Sequence, residues 1–112
     1  MKLNPAPFEM IKCGKKSIEL RLYDEKRSRI SLGDCISFTN TDTLEEITVT
    51  VIDIYKFNNF KELYNSLPLL QCGYTIENVA EAHYSDMEKY YTAEEQNKYG
   101  VVGIAIQLTS IK

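Results

Sequence analysis

The segment ITVTVIDIY at residues 47–55 is the clearest β-strand in the sequence. Most of its side chains are β-branched, and such side chains lose rotamer freedom in a helix but pack well on a pleated sheet. The polar run at residues 40–43 precedes it and predicts a hairpin connection to a weaker alternating strand at residues 35–39. We therefore expect a sheet to form the framework of this chain.

A further strand is predicted at residues 17–23, where apolar and polar side chains alternate. Glu19 and Arg21 share its polar face, about 7 Å apart at the rise of an extended strand. Lys15 and Lys16 directly precede this strand. A carboxylate, a guanidinium and ammonium groups near one strand start favour binding of a polar, anionic ligand. The alternative is a solvated strand face with an ion pair worth ~0–1 kcal/mol.

Lys16 leaves two structural interpretations open. Strict alternation places it on the apolar side with Ile18 and Leu20, where an unpaired lysine is rarely buried. Either the strand begins after Lys16, or Lys16 points into a cavity that also holds a carboxylate. A lysine in such a cavity can act as a general base.

The remaining segments predict helices and a final strand. They are a helix at residues 5–12, a helix at residues 57–67, a helix at residues 87–98 opened by the S-x-x-E pattern of Ser85–Glu88, and a strand at residues 101–108. The last strand is apolar on both faces, which predicts a central position in the sheet, and its Gly103 marks a bulge or a close backbone approach. We expect a small, strongly bent or closed sheet flanked by short helices.

The charge is unevenly distributed along the 112 residues, although the net charge is only −3. Residues 1–30 hold eight Lys and Arg against four Asp and Glu, whereas residues 31–112 hold five against twelve. This split permits one basic face on an acidic protein. It favours a small anionic or nucleotide-sized ligand over long duplex nucleic acid, which requires a broad basic surface.

The three cysteines form no CxxC pair and are odd in number, so neither a disulfide framework nor a metal site is predicted. We interpret Cys35 and Cys72 as core or near-core residues. No secretion signal is recognisable at the N-terminus, and no apolar run approaches the ~20 residues that cross a bilayer. We expect a single cytoplasmic domain over residues 1–112 without membrane contact, metal or cofactor, either monomeric or dimeric.

Searches for catalytic motifs find no phosphate-binding loop, GxGxxG, HExxH or GxSxG pattern. The single histidine, His83, excludes a multi-histidine metal centre and is expected in a loop or at a helix end. Four tyrosines cluster near the predicted third helix, namely Tyr84, Tyr90, Tyr91 and Tyr99. Aromatic rings beside a basic cleft can stack on a base, and we expect at least one to line a pocket. The alternative is that they pack the helix on the sheet.

The octet Gly14–Arg21 reads G-x-K-x-x-E-x-R, and it resembles the signature of ASCH domains, relatives of the PUA RNA-binding fold. The order of the predicted elements is similar along essentially the whole chain. The resemblance implies an α+β fold, a small PUA-like β-barrel of about five to six strands flanked by short helices. It also implies recognition of RNA or of a modified nucleoside or nucleotide in a basic cleft. We assign ligand binding to the set Lys15, Lys16, Ser17, Glu19 and Arg21.

One branch of this family is a small hydrolase that deacetylates N4-acetylcytidine, and other members are reported to cleave RNA. The resemblance implies that the catalytic lysine of that hydrolase corresponds to Lys16, whereas its threonine nucleophile falls at Glu19, which carries no hydroxyl. A Lys16–Glu19 pair can still activate water. The third, acidic member would be Glu77, Glu81 or Glu88. The sequence thus leaves a hydrolase and a protein-interaction module with a vestigial cleft as alternatives to a recognition domain.

Overall fold

The computed structural model describes residues 1–111 of the chain. Five strands are found in this part: β1 (Lys2–Leu3), β2 (Ile18–Leu22), β3 (Cys35–Asn40), β4 (Glu46–Phe57) and β5 (Val101–Ile111). Three α-helices accompany them: α1 (Pro5–Lys12), α2 (Phe60–Ser66) and α3 (Ala93–Tyr99). Single turns of 3₁₀-helix lie at Arg27–Arg29, Leu69–Gln71 and Val79–Glu81, and a longer 3₁₀ segment covers Tyr84–Lys89.

The strands form one sheet in the order β1-β3-β4-β5-β2. β1 runs parallel to β3, and the other neighbours are antiparallel. The long strands β4 and β5 pair with register shifts at Thr48/Val49 and at Val51/Asp53, and such irregularities bend a sheet. The result is a five-stranded curled half-barrel, which confirms the expected PUA-like α+β fold and the central position of β5. The sequence gives no signal for the two-residue strand β1.

Two apolar clusters lie on opposite faces of the curled sheet. The first contains Phe8 and Ile11 of α1 together with Phe38, Ile47 and Ile104. The second joins α2 to the apolar face of β2 and consists of Ile18, Leu20, Leu22, Phe60, Leu63, Cys72, Val101 and Ala105. The alternation of β2 therefore sends its apolar side chains to α2. Its polar side chains share the other face, on which the first cluster lies.

Two predictions about the middle of the chain are wrong. Cys35 is exposed, because it begins β3 on the face opposite to the buried Ile36. The predicted helix at residues 87–98 is divided in two, and Ser85 does not cap it. Thr92 and Glu95 form a second capping box, in which the Thr92 hydroxyl accepts from the Glu95 amide and the Glu95 carboxylate accepts from the Thr92 amide. This cap starts α3 at Ala93, whereas the preceding 3₁₀ segment ends at Lys89, before Tyr90.

The other helix predictions agree with the structure. α1 matches residues 5–12, and α2 begins after Asn59, whose side-chain oxygen accepts from the Glu62 amide at 2.9 Å. Within residues 1–111, no helix is long and apolar enough to cross a membrane. The same residues contain no group of three or more His, Cys, Asp or Glu side chains placed to hold a metal ion.

Candidate functional site

A cleft of about 670 Å³ opens between the two edge strands of the half-barrel, β1 and β2. Its volume lies in the range of small-molecule binding sites. One wall comes from residues 2–10, the floor from β2, and the opposite wall from residues 72–74 and 78–91. An Arg21 Nη2–H group faces the Lys2 carbonyl across the seam at 3.5 Å. The charged residues of the cleft are Lys2, Lys16, Glu19, Arg21, Glu81, Asp86 and Lys89.

Glu19 lies at the centre of the floor and is clamped between two cations. Its Oε1 accepts from Lys16 Nζ at 2.7 Å, and its Oε2 accepts from Arg21 Nε at 3.2 Å and Nη2 at 3.0 Å. Glu19 is only 3% exposed, although Lys16 and Arg21 both reach the cleft. Two positive charges thus surround one buried negative charge, so this cluster carries a net positive charge toward the cleft.

The start of β2 explains how Lys16 reaches this carboxylate. α1 ends at Lys12 with Cys13 as its C-cap, and Gly14 turns the chain with a φ of +85°. The Lys16 amide then donates to the Met10 carbonyl, so Lys16 stands before the strand and is free of its alternation. Both interpretations of Lys16 therefore apply, since the strand begins after it and its ammonium pairs with a carboxylate in a cavity.

Electrostatics favour the charged form of Glu19. Burial by itself raises the pKa of Glu19, but the charges and hydrogen bonds of Lys16 and Arg21 outweigh it and hold the pKa below its ordinary value of 4.5. Burial likewise lowers the pKa of Arg21, and the Glu19 charge and hydrogen bonds reverse this effect and raise it. The Glu19 carboxylate is therefore ionised at neutral pH and directs the hydrogen-bond donors of its two partners.

Lys15 and Ser17 do not line this cleft. Lys15 is exposed, and the Ser17 hydroxyl donates to Gln71 Oε1 at 3.2 Å. Ser17 precedes β2 but keeps the pairing with β5, since its carbonyl accepts from the Ile106 amide at 2.8 Å. A role of Lys15 and Ser17 in ligand binding stays a prediction.

A second polar group, not foreseen from the sequence, lies in the opposite wall. The Tyr74 hydroxyl donates to Asp86 Oδ2 at 2.6 Å and lies 2.6 Å from the Tyr64 hydroxyl. Burial and these hydrogen bonds raise the pKa of Tyr74, whereas the Tyr74 bond lowers that of Asp86. Tyr64, Tyr74 and Asp86 lie on separate segments of the chain, and no spacing in the sequence indicates that their side chains are in contact.

One of the three candidate acidic residues lines the cleft. Glu81 lines the cleft, whereas Glu77 and Glu88 are exposed and do not line it. Asp86, for which the sequence predicts no role in ligand binding, also lines the cleft. Its carboxylate caps the 3₁₀ segment by accepting from the His83 amide at 3.3 Å. His83 is the N-cap of that segment and does not line the cleft.

Two of the four clustered tyrosines line the cleft, namely Tyr90 and Tyr91. Tyr90 is 65% exposed, while Tyr91 stacks on Phe60 with ring centroids 5.8 Å apart. Tyr84 packs against the second apolar cluster instead. Cys72 also lines the cleft, but burial raises the pKa of its thiol to about 11, so the thiol stays protonated and is a poor nucleophile at neutral pH.

A model of a known protein family matches almost the whole chain. The model of the ASCH domain matches residues 1–110. The chain belongs to the ASCH domain family. No curated protein matches it.

Solved structures resemble this ASCH domain along its whole length. The crystal structure of the hypothetical protein PH0355 is 33% identical, with 97% of this chain and 100% of that chain covered and a TM-score of 0.77. The solution structure of protein PF0455 from Pyrococcus furiosus is also 33% identical, with 98% and 99% covered and a TM-score of 0.72. The ASCH protein of Zymomonas mobilis is 17% identical, with 99% and 67% covered and a TM-score of 0.65, and it supports the fold alone.

Proposed function

We propose that this ASCH domain recognises RNA, or a free nucleoside or nucleotide, through the cleft between β1 and β2. The observation that carries the proposal is the clamp of Lys16 and Arg21 around the buried Glu19. A carboxylate that accepts from both cations fixes their positions, so less side-chain entropy is lost when a ligand binds. The net positive charge of the clamp suits a phosphate or a polarised carbonyl oxygen.

Each cation keeps hydrogen-bond donors for such a ligand. Lys16 spends one of its three N–H groups on Glu19, and Arg21 uses Nε and Nη2 on Glu19 and the Lys2 carbonyl, with Tyr91 as a further side-chain partner. Glu19 has both oxygens engaged, so its role is to orient the two cations. The base would lie toward the opposite wall, where the exposed ring of Tyr90 offers a stacking surface and Asp86 an acceptor.

The test is a binding measurement on the purified protein. We expect the four ribonucleoside 5′-monophosphates, or a short mixed-sequence RNA, to bind and to shift the NMR signals of Lys16 and Arg21. The Arg21→Gln variant should bind roughly tenfold or more weakly, because a charge-assisted hydrogen bond is lost. The matched control is Arg29→Gln, which removes an exposed guanidinium paired only with Glu25. Equal affinity of both variants would overturn the proposal.

Turnover separates recognition from the hydrolase alternative. Incubation with N4-acetylcytidine or with RNA, followed by mass spectrometry, should leave the substrate unchanged if the domain only recognises it. Lys16 forms an ion pair with Glu19, and Lys16→Ala removes the amine that the hydrolase alternative requires. Product that appears with the native protein and disappears with Lys16→Ala would make the domain an enzyme. If the native protein shows neither binding nor turnover, the protein-interaction module is favoured.

A further inference from the structure

A second groove, of about 610 Å³, lies at the end of the sheet where β4 finishes and β5 begins. Two lysine–tyrosine pairs flank it. Lys56 Nζ stands 4.8 Å from the centre of the Tyr23 ring, and Lys98 Nζ stands 5.1 Å from the centre of the Tyr99 ring. The one acidic residue in its lining is Glu62, so the groove has a net positive charge on an acidic protein.

Strand register connects this groove to the cleft that holds the Glu19 clamp. Arg21 pairs with Val102 of β5, and Val102 pairs with Lys56 of β4. Directly opposed residues of antiparallel strands share a face, so Arg21 and Lys56 lie on one side of the sheet. Two interstrand spacings of ~4.8 Å place their backbones about 10 Å apart.

The strand β2 also connects the cleft, at Arg21, with the groove, at Tyr23. Its pairing with β5 continues beyond Leu22, since the Tyr23 amide donates to the Gly100 carbonyl at 3.0 Å. Tyr23 therefore follows Arg21 on the polar face at a distance of ~7 Å. Arg21 lines the cleft and Tyr23 lines the groove. Along β2, Tyr23 is thus the next residue on the face of Arg21, whereas on the route through β5 the buried Val102 lies between Arg21 and Lys56.

We propose that the groove is a second subsite, which takes the phosphate and base of the neighbouring nucleotide when the ligand in the cleft is part of an RNA strand. This inference rests on the proposed function and makes single-stranded RNA, rather than a free nucleoside, the preferred ligand. Lys56 and Lys98 supply the charge, and the rings of Tyr23 and Tyr99 supply stacking surfaces. Proteins that bind single strands combine a positively charged groove, which follows the backbone, with aromatic rings on which bases stack.

The experiment compares ligand lengths by isothermal titration calorimetry. The native protein is titrated with the four ribonucleoside 5′-monophosphates and with mixed-sequence oligoribonucleotides of two, four and six nucleotides. The same series is repeated with Lys56→Ala/Lys98→Ala. We expect affinity to rise with length in the native protein. In the variant this gain should fall about tenfold, with monophosphate binding unchanged, and the slope of log K against log salt for the hexanucleotide should decrease by about 1.4.

The control is Lys12→Ala/Lys61→Ala, which removes the same charge from residues that line neither cavity. It should keep the native gain with length. Monophosphate binding without any gain on lengthening, or an identical gain in the groove variant, would overturn the second subsite and leave the proposed function intact. Failure of every ligand to bind the native protein would overturn the proposed function itself.

Discussion

Lys16 Nζ lies 2.7 Å from Glu19 Oε1, and both side chains are almost entirely removed from solvent. Arg21 contacts the other oxygen of the same carboxylate. Three charges therefore lie close together where water screens them little. Removal of Glu19 would leave both cations without their counter-charge, whereas removal of either cation would still leave the carboxylate paired with the other.

Replacement of Glu19 by glutamine should destabilise the protein by about 3 kcal/mol, the cost of breaking a buried ion pair from one side. Glutamine keeps the shape of the side chain but not its charge, so Lys16 and Arg21 would repel each other. Urea denaturation followed by circular dichroism measures this loss. The matched control is Glu25→Gln, whose partner Arg29 is itself exposed, and no measurable change is expected there. A loss as small as that of the control would contradict the clamp.

The same carboxylate makes stability depend on acid pH. The pKa of Glu19 in the folded protein lies below its ordinary value of 4.5, so the unfolded chain binds this proton first as the pH falls. Its contribution is therefore complete above pH 4.5 and is lost as the pH falls through the lower, folded-state pKa.

This loss appears as a difference in unfolding free energy between the native protein and Glu19→Gln that shrinks as the pH falls below 4.5. The pKa of Asp86 is also lowered, chiefly by the Tyr74 hydrogen bond. The unfolding free energy of Asp86→Asn over the same pH range therefore separates the contribution of Asp86 from that of Glu19. A native-to-glutamine difference that stays constant across this pH range would show that Glu19 does not titrate with a lowered pKa.

Local pattern predicted the elements of this fold well, and the reason is visible in β2. Its alternation depends only on which side of one strand is apolar, and Leu20 and Glu19 lie on the expected faces. The octet of the signature likewise contains all three residues of the clamp, because i, i+3 and i+5 neighbours can meet at the entry to a strand.

The rest of the site depends on long-range contacts that no local pattern encodes. β1 is only two residues long and is a strand because it pairs with Thr39 and Asn40 of β3. The seam between β1 and β2 exists only after the sheet has curled. Asp86 meets Tyr74 across the opposite wall by tertiary packing, so sequence reasoning favoured neighbouring glutamates instead.

Removal of the Tyr74 hydroxyl tests the polar group of that wall. In Tyr74→Phe, Asp86 loses its chief hydrogen bond, and its pKa should rise toward the ordinary value of 3.8. An NMR titration of the Asp86 carboxyl carbon measures this shift. Tyr64→Phe is the control, because it removes the 2.6 Å contact to Tyr74 but leaves the bond between Tyr74 and Asp86. An unchanged Asp86 pKa in Tyr74→Phe would show that the hydroxyl does not hold this carboxylate.

Gly103 permits the close packing of α2 on the sheet. A Cβ atom at this position would lie 2.7 Å from Leu67 Cδ1 and 3.2 Å from Ile18 Cγ2. Gly103→Ala should therefore destabilise the protein by about 1 kcal/mol, since the end of the Leu67 side chain can move but must lose contacts to do so. The sequence predicts a bulge or a close backbone approach at Gly103, but the atoms nearest to it belong to side chains and the register shifts of β4 and β5 lie elsewhere.

A double-mutant cycle identifies that contact. In a Leu67→Ala background the clash disappears, and Gly103→Ala should cost less by about 0.5 kcal/mol or more in urea denaturation. Gly33→Ala is the control, because Gly33 has a φ of +87° and no atom lies within 4 Å of the place that a Cβ would take. Its cost comes from backbone strain alone and should be the same with leucine or alanine at position 67. Equal coupling of both glycines to Leu67 would show that the effect of Gly103 is also one of the backbone.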